Sequence, residues 1–319
     1  MSRRCWASAR AESALLEQLQ RQVHHLEGRP AEEIDVDLAV LETARGGILR
    51  EGLGFDRCAV AVVTNIGEGD HLGLNYISTV EDLAVLNAAD PIVAAMSVAC
   101  PGQVCYFAAD RHQPVMAAHR AQGRRVVYVE GNAIVAAQGS WRERLPLAEI
   151  PLTRGGSIGF QVENAMAAVG AAWCAGLDWD AVRRGLESFD SDADTTPGRF
   201  NVMDYRGATL IADYGHNPDA MRALVRAVEA MPAQRRSVVI SGAGDRRDKD
   251  LRDQTVILGS AFDEVILYQD AAQRGREDGE VMALLRDGLK DAARTTRQHG
   301  TAVAKWSACG DTSWPANVL

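Results

Sequence analysis

Several polar residues follow apolar runs, where a strand would carry them to one edge of a sheet. Glu42 ends the run Val36 to Leu41 and opens Thr43-Ala44-Arg45-Gly46-Gly47-Ile48-Leu49-Arg50. A carboxylate at a buried strand tip suits Mg²⁺, which takes one or two carboxylates together with phosphate and water. Arg45 suits an anionic substrate, and Gly46-Gly47 permits close backbone approach. The same residues also fit an acid at a helix N-terminus before a glycine turn. Thr64-Asn65-Ile66-Gly67-Glu68-Gly69-Asp70-His71-Leu72-Gly73 follows a second run, Cys58 to Val63. Asp70 and His71 suit a metal or a phosphate, or a hydrogen-bonded surface pair.

Asn87-Ala88-Ala89-Asp90-Pro91 reads as a helix cap. Asn164, in the Ala-rich stretch Val162 to Ala168, carries a carboxamide able to donate to and accept from an adenine edge; a helix-surface asparagine is the plainer reading. Pro197-Gly198-Arg199-Phe200-Asn201 stands just before a further strand–helix series. Asp213-Tyr214-Gly215-His216-Asn217-Pro218-Asp219-Ala220 and Gly242-Ala243-Gly244-Asp245-Arg246-Arg247-Asp248-Lys249-Asp250 each lie between a strand and a helix. Open α/β sheets bind ligands at such places. The second of these is also open to reading as a solvated charged loop.

The elements that must position these groups follow from periodicity. Ala11 to Leu26 has apolar residues on one helical face. Val36–Leu41 and Cys58–Val63 are apolar throughout, as in parallel strands covered on both faces. Gln103–Ala108 and Arg125–Val129 predict strands, and Gly131-Asn132 turns the latter into Ala133–Ala137. Helices are expected over Gln161–Ala175 and Trp179–Phe189. Asp190–Thr196, followed by Pro197-Gly198, reads as a linker. Beyond it, strands are expected at Ala208–Asp213, Arg236–Ser241 and Glu264–Tyr268. Helices are expected at Pro218–Met231, Asp250–Ala261 and Gly279–Thr295. Thr301–Leu319 shows no clear periodicity.

The 319 residues suffice for two domains, and 47% hydrophobic with 24% charged residues is ordinary for a soluble globular chain. A net charge of -9 argues against a nucleic-acid partner, since a phosphate backbone needs a basic face. It leaves room for a nucleotide held by backbone amides and Mg²⁺. The six cysteines form no CxxC pair and read as reduced intracellular thiols. No apolar run is long enough for a membrane helix, and Met1 to Arg10 has no secretory h-region. A cytoplasmic location without a membrane partner is expected.

In this order, the segments resemble the Mur ligase family, which includes the peptidoglycan ligases, folylpolyglutamate synthase and cyanophycin synthetase. Asp213 to Asp219 is similar to the family's Asp-Tyr-Ala-His-Asn-Pro-Asp, with Gly215 in place of Ala. Glu42–Arg50, Thr64–Gly73 and Gln273-Arg274-Gly275-Arg276-Glu277-Asp278-Gly279-Glu280 resemble the cyanophycin synthetase branch. The resemblance runs over residues 35–300. It implies an α/β fold, with an incomplete Mur ligase-like central ATP-binding domain over 35–196 and a Rossmann-like C-terminal domain over 197–300. A non-matching segment at 1–34 and a divergent tail at 301–319 flank them. The implied activity is an ATP-dependent amide ligase that adds arginine to the aspartate side chains of cyanophycin through an acyl-phosphate. Its partners would be ATP, Mg²⁺, arginine and the aspartate-backbone primer, with a homo-oligomer also open. The resemblance assigns Glu42 and His71 to Mg²⁺, Asn164 to adenine, and Arg199 and Asp213 to the ribose end of ATP. His216 and Asn217 would lie near the phosphates, and Arg45 would steer substrate.

The pattern also departs from the family. No Gly-Lys-Ser/Thr occurs in the chain, so the loop whose amides and lysine cradle the β- and γ-phosphates is missing. Leu83-Ala84-Val85-Leu86 runs straight into Asn87, where the family inserts a helix and turn. A partial or rearranged copy, weak or inactive as an isolated chain, is therefore expected. A non-catalytic nucleotide-binding or assembly module, a gene fragment, and a folylpolyglutamate or poly-γ-glutamate synthase-like ligase are the alternatives.

Overall fold

Cys58–Val63 is apolar at every position, and all of it is buried. Its side chains alternate between two separate clusters. Val60 and Val62 join Val85, Phe107 and Val127 on one face, whereas Ala61 and Val63 join Ala84, Leu86 and Tyr106 on the other. This two-sided burial is why the run carries no polar alternation. The computed structural model describes residues 4–8, 38–42, 58–66, 80–271, 273–292, 297–301 and 317–318. The chain divides into two units, Met1–Asp190 and Ser191–Leu319, at the start of the Asp190–Thr196 stretch.

Among the described residues, the first unit is built on β1 (Arg4–Ser8), β2 (Leu38–Glu42), β3 (Cys58–Val63), β4 (Val80–Asn87), β5 (Gln103–Ala108), β6 (Val126–Glu130), β7 (Ala133–Gln138) and β8 (Trp141–Pro146). They form one sheet in the order β2-β1-β3-β4-β5-β6-β7-β8. Pairing is parallel from β2 to β6 and antiparallel from β6 to β8. Three of these strands, β1, β4 and β8, go beyond the sequence expectations. The short helices α1 (Pro91–Ala95) and α2 (Pro114–Ala121) contribute Val93 and Met116 to the cluster on one face. The long helix α3 (Gly159–Cys174) lays Val162, Ala165, Met166 and Val169 on the other, beside α4 (Trp179–Ser188). The edge strand β8 carries Arg142, Glu143 and Arg144; Arg144 pairs with Glu130 at 2.8 Å, and Glu143 pairs with Arg183.

Parallel pairing sets the ends of these strands at one edge. Glu42 is level with Ser8, and Ser8 with Val62. At that edge Asp90 binds two loops together. Its Oδ1 accepts from Ile92 N and Val93 N at the start of α1, and its Oδ2 accepts from Ile66 N at 2.7 Å. The helix-cap reading of Asn87–Asp90 therefore holds, with the addition that the cap also secures the loop after β3.

The second unit contains β9 (Asn201–Tyr205), β10 (Ala208–Asp213), α5 (Pro218–Glu229), β11 (Ser237–Ile240), α6 (Asp248–Ala261), β12 (Glu264–Tyr268), α7 (Glu280–Lys290), β13 (Arg297–Thr301) and β14 (Asn317–Val318). β9 and β10 form a hairpin turning at Arg206-Gly207, both in the left-handed region, and β14 pairs on its other side. β11, β12 and β13 form a parallel sheet. α6 and α7 approach closely at Gly288, where a Cβ would lie 2.2 Å from the Arg252 carbonyl oxygen. The strand at 317–318 lies in the tail from Thr301 in which the sequence shows no clear periodicity, and the strand at 297–301 goes beyond the sequence expectations. No helix among the described residues is long and apolar enough to cross a membrane.

Asp90→Ala leaves three amides without their acceptor. Loss of a cap costs about 1 kcal/mol, and an unsatisfied amide adds a similar amount. A loss of about 2 kcal/mol in denaturant unfolding is expected, with hydrogen exchange accelerated first around Ile66.

Candidate functional site

The second unit assembles its site around one carboxylate. β10 ends at Asp213, which accepts from Phe200 N at 3.0 Å through Oδ2 and from Gly215 N at 2.7 Å through Oδ1. It thus joins the segment before β9 to the loop after β10. Phe200 adopts φ 54, strained for a non-glycine residue, and its ring is buried. Burial raises the Asp213 carboxyl above its ordinary pKa, opposed by the Gly215 amide, Arg199, the Phe200 amide and His216. Tyr214 N donates to Gly198 O at 2.8 Å, and the Arg199 guanidinium lies 5.7 Å from the Tyr214 ring centroid. Among the described residues the Arg199 guanidinium makes no hydrogen bond, which suits it to an anionic or hydroxylated ligand.

Asn201 holds this loop from beneath and is 1% exposed. Its Oδ1 accepts from Gly198 N at 2.6 Å, and its Nδ2 donates to the carbonyls of Ser191, Asp192 and Thr196. Ser191 Oγ donates to Arg199 O at 2.5 Å. These bonds set the backbone that presents Arg199.

A further loop meets Tyr214. The Arg274 pKa is raised by Tyr214 and by Asp245, with which its guanidinium pairs at 3.2 Å. Arg274 sits at φ 47, and Arg276 pins the neighbouring loop by donating to Gly244 O and Arg246 O, each at 2.7 Å. Gly244 is required here, because a Cβ would lie 2.0 Å from the Gln273 carbonyl oxygen. The start of this segment is therefore braced, while Asp245, Arg247, Asp248 and Lys249 are exposed to solvent. Tyr268 is pushed up to about 12 by burial and by nearby Asp270 and Tyr214, so its phenol stays protonated at neutral pH.

His216 and Asn217 stand at the start of α5. His216 Nδ1 is 3.1 Å from the Tyr214 carbonyl and must carry the proton to donate to it. Asn217 caps the helix, with Oδ1 accepting from Ala220 N at 2.8 Å; its Nδ2 remains a donor beside the positive end of the helix dipole. Asn164 belongs to the first unit, on the exposed side of α3, where Nδ2 donates to Gln161 Oε1 at 2.9 Å. Glu42 is described as backbone only, at the end of β2, whereas Arg45 and His71 lie outside the described residues. Among the described residues no group of three His, Cys, Asp or Glu could hold a metal ion. The structure thus brings Arg199, Asp213, His216 and Asn217 together and adds Tyr214, Asp245 and Arg274. The resemblance at Gln273–Glu280 was the available signal for Arg274, but it showed no contact with Tyr214.

Two measurements test this frame. Asn201→Ala removes the acceptor of the Gly198 amide and a buried donor to the Ser191, Asp192 and Thr196 carbonyls, and a loss of roughly 3 kcal/mol is expected. Peptides from 191–292 should then exchange amide hydrogens faster than those of the first unit. Asp213 has a folded pKa above its ordinary 3.8. Its stabilising contribution is therefore full below 3.8 and is lost as pH rises through the folded value. Relative to Asp213→Asn, the wild type should gain stability as pH falls from neutral toward 3.8, read from denaturation midpoints.

Comparison with known proteins places this geometry. The family model "Mur ligase, glutamate ligase domain" matches residues 198–312, running past Gly300. The cyanophycin synthetase of Synechocystis sp. is 42% identical over 272 residues, covering 80% of this chain and 31% of that protein. The cyanophycin synthetase of Crocosphaera subtropica is 39% identical over the same shares. The chain spans about a third of the length of these relatives. A structure of Mycobacterium tuberculosis folylpolyglutamate synthase complexed with ADP and AMPPCP superposes with a TM-score of 0.57 at 19% identity, covering 90% of this chain and 66% of that one. That likeness concerns the fold. The C-terminal side of the chain thus matches the Mur ligase, glutamate ligase domain model, and over 80% of its length the chain is similar to the cyanophycin synthetases.

Proposed function

We propose that this chain is part of an ATP-dependent amide ligase of the cytoplasm that attaches arginine to aspartate side chains of a polyaspartate primer. In the first step the γ-phosphoryl group of ATP passes to a primer carboxylate, and ADP leaves. In the second the arginine α-amine attacks the acyl carbon, phosphate departs, and an isopeptide bond forms. The observation that carries the reading is Arg199, a guanidinium without a hydrogen-bonded partner among the described residues, held beside Asp213 and Tyr214 by a dedicated backbone network.

The chain's own groups divide the work. Arg199 binds the ribose end of ATP, with Asp213 fixing the loop that carries it. The Asn217 amide and the first turn of α5 offer N–H donors to phosphate. His216, fixed through Nδ1, stands next to them. Asn164 is exposed to read adenine, and Arg45 steers the anionic primer. Mg²⁺ would neutralise charge on the transferring phosphoryl group, with Glu42 and His71 as its proposed ligands.

One sequence fact favours a second reading. Without Gly-Lys-Ser/Thr the phosphates lose their usual cradle, which suits a binding or assembly module. The isolated chain is accordingly expected to incorporate little or no arginine into a cyanophycin primer with ATP. Turnover near that of an intact synthetase would refute this. Calorimetry with ATP·Mg²⁺ separates the readings. Detectable binding, weakened roughly 10- to 100-fold by Arg199→Ala, is expected from loss of a charge-assisted hydrogen bond. No binding by the folded wild-type chain would leave the assembly module as the better account.

A further inference from the structure

The first unit carries a groove at the starts of β4, β5 and β6, the sheet edge opposite the one that Asp90 braces. A cavity of about 650 Å³ is lined by Glu81, Asp82 and Trp173, and one of about 500 Å³ by His119, Arg124 and Gln138. Gly102, Gln103 and Arg125 line both, so the two are continuous. The middle of the groove is fixed in place. A Cβ on Gly102 would lie 2.6 Å from the Asp82 carbonyl oxygen, so the turn before β5 sits directly on the start of β4.

The two ends carry opposite charge. Asp82 is exposed and its carboxylate makes no hydrogen bond or ion pair among the described residues; Glu81 adds a second carboxylate beside it. At the other end the Arg124 guanidinium makes no hydrogen bond or ion pair among the described residues. Arg125 stands between, with Nε 3.4 Å from Gln138 Oε1 and its guanidinium 5.0 Å from the Trp173 ring centroid. His119 is buried and lines the basic end. Its Nε2 lies 2.8 Å from the Val104 carbonyl and carries the proton, and its ring meets Tyr106 edge-on.

Two carboxylates face two guanidiniums across one groove, so a simple anion or a simple cation meets repulsion at one end. A ligand bearing both charges meets attraction at both. Leu83 pairs with Gln103, and Tyr106 with Val126, so β5 separates the acidic end on β4 from the basic end at β6. Neighbouring strands lie about 4.8 Å apart, which sets the two ends roughly 10 Å apart at the backbone, the scale of one extended arginine. We propose that this groove binds a zwitterion carrying a guanidinium and a carboxylate, either free arginine or arginine attached to aspartate. The guanidinium lies at Glu81 and Asp82, and the carboxylate at Arg124 beside His119. The choice of guanidinium rests on the arginine-adding reaction proposed above, whereas the pairing of charges does not. A planar guanidinium takes carboxylate oxygens through two parallel hydrogen bonds, which suits both ends. In attached arginine the α-amine is already an amide, so the unit is neutral overall and matches the balanced groove.

Calorimetry on the full chain with β-aspartyl-arginine, L-arginine, agmatine and aspartate tests this. Exposed charge pairs are weak and screened by salt, so dissociation constants on the order of millimolar, rising with ionic strength, are expected. The two zwitterionic guanidines should bind several-fold more tightly than agmatine, which lacks the carboxylate, and than aspartate, which lacks the guanidinium. Tighter binding of β-aspartyl-arginine identifies attached arginine as the occupant, and tighter binding of L-arginine the free amino acid. Arg124→Gln and Asp82→Asn, both at exposed positions, should each weaken that binding several-fold with the melting temperature unchanged. Burial lowers the His119 pKa, the Val104 carbonyl opposes, and the Arg124 charge lowers it further. A carboxylate seated at Arg124 should therefore raise it, as read by an NMR titration of the His119 ring. Absence of binding by the folded chain overturns the proposal, as does agmatine binding equally well. Affinity that survives in both variants belongs to another site and overturns it too. ATP·Mg²⁺ calorimetry on the same preparation keeps the two readings apart. Variant-sensitive zwitterion binding without ATP binding sustains the groove alone, and ATP binding without zwitterion binding defeats the groove alone.

Discussion

In the second unit a single carboxylate ties together the two pieces of chain that flank the β9–β10 hairpin. Asp213 accepts one amide from Phe200, thirteen residues upstream, and one from Gly215, two residues downstream. Neither segment is regular, so each brings amides that a sheet or helix would otherwise satisfy. Because Phe200 is held at positive φ, the Arg199 peptide is presented in a single arrangement. The placing of the Arg199 guanidinium beside the Tyr214 ring follows.

The first unit uses the same device with different geometry. Asp90 accepts from its own helix start and from Ile66, joining the tips of β3 and β4. Short acidic side chains suit this task because two oxygens close to the backbone can serve separate donors. In both units the loops at strand tips are therefore braced by a carboxylate, one that the sequence presents as a helix cap and one that it presents as a candidate ligand. The brace and the ligand site occupy neighbouring residues, so a change at one reaches the other.

Legibility followed chemistry. Cys58–Val63, Gln103–Ala108, Ala208–Asp213 and Glu264–Tyr268 are visible in the sequence to the residue, because burial on one or both faces leaves apolar runs bounded by polar tips. β8 escapes such reading: Trp-Arg-Glu-Arg-Leu-Pro has no apolar face, since an edge strand is half solvated. β9 is concealed by its Asn201 start, whose buried amide serves distant carbonyls and not a ladder. At the site, Asp213, His216 and Asn217 stand out by position between strand and helix. The meeting of Tyr214, Asp245 and Arg274 does not, because it depends on loop conformations set by Gly244 and Arg276. Asn164 was legible as a helix residue, and its exposure with a bond to Gln161 fits the plain reading as well as the adenine one.

The charged character of β8 bears on how such a chain associates. A bare sheet margin invites another chain to add a strand, and charge or proline there discourages it. β8 has Arg142, Glu143 and Arg144 along its length and ends at Pro146. Glu130 and Arg183 tether Arg144 and Glu143 to the body of the unit. On that flank, lateral extension of the sheet into a neighbouring molecule would strip water from fixed charges, so growth into a continuous intermolecular β-ribbon is disfavoured.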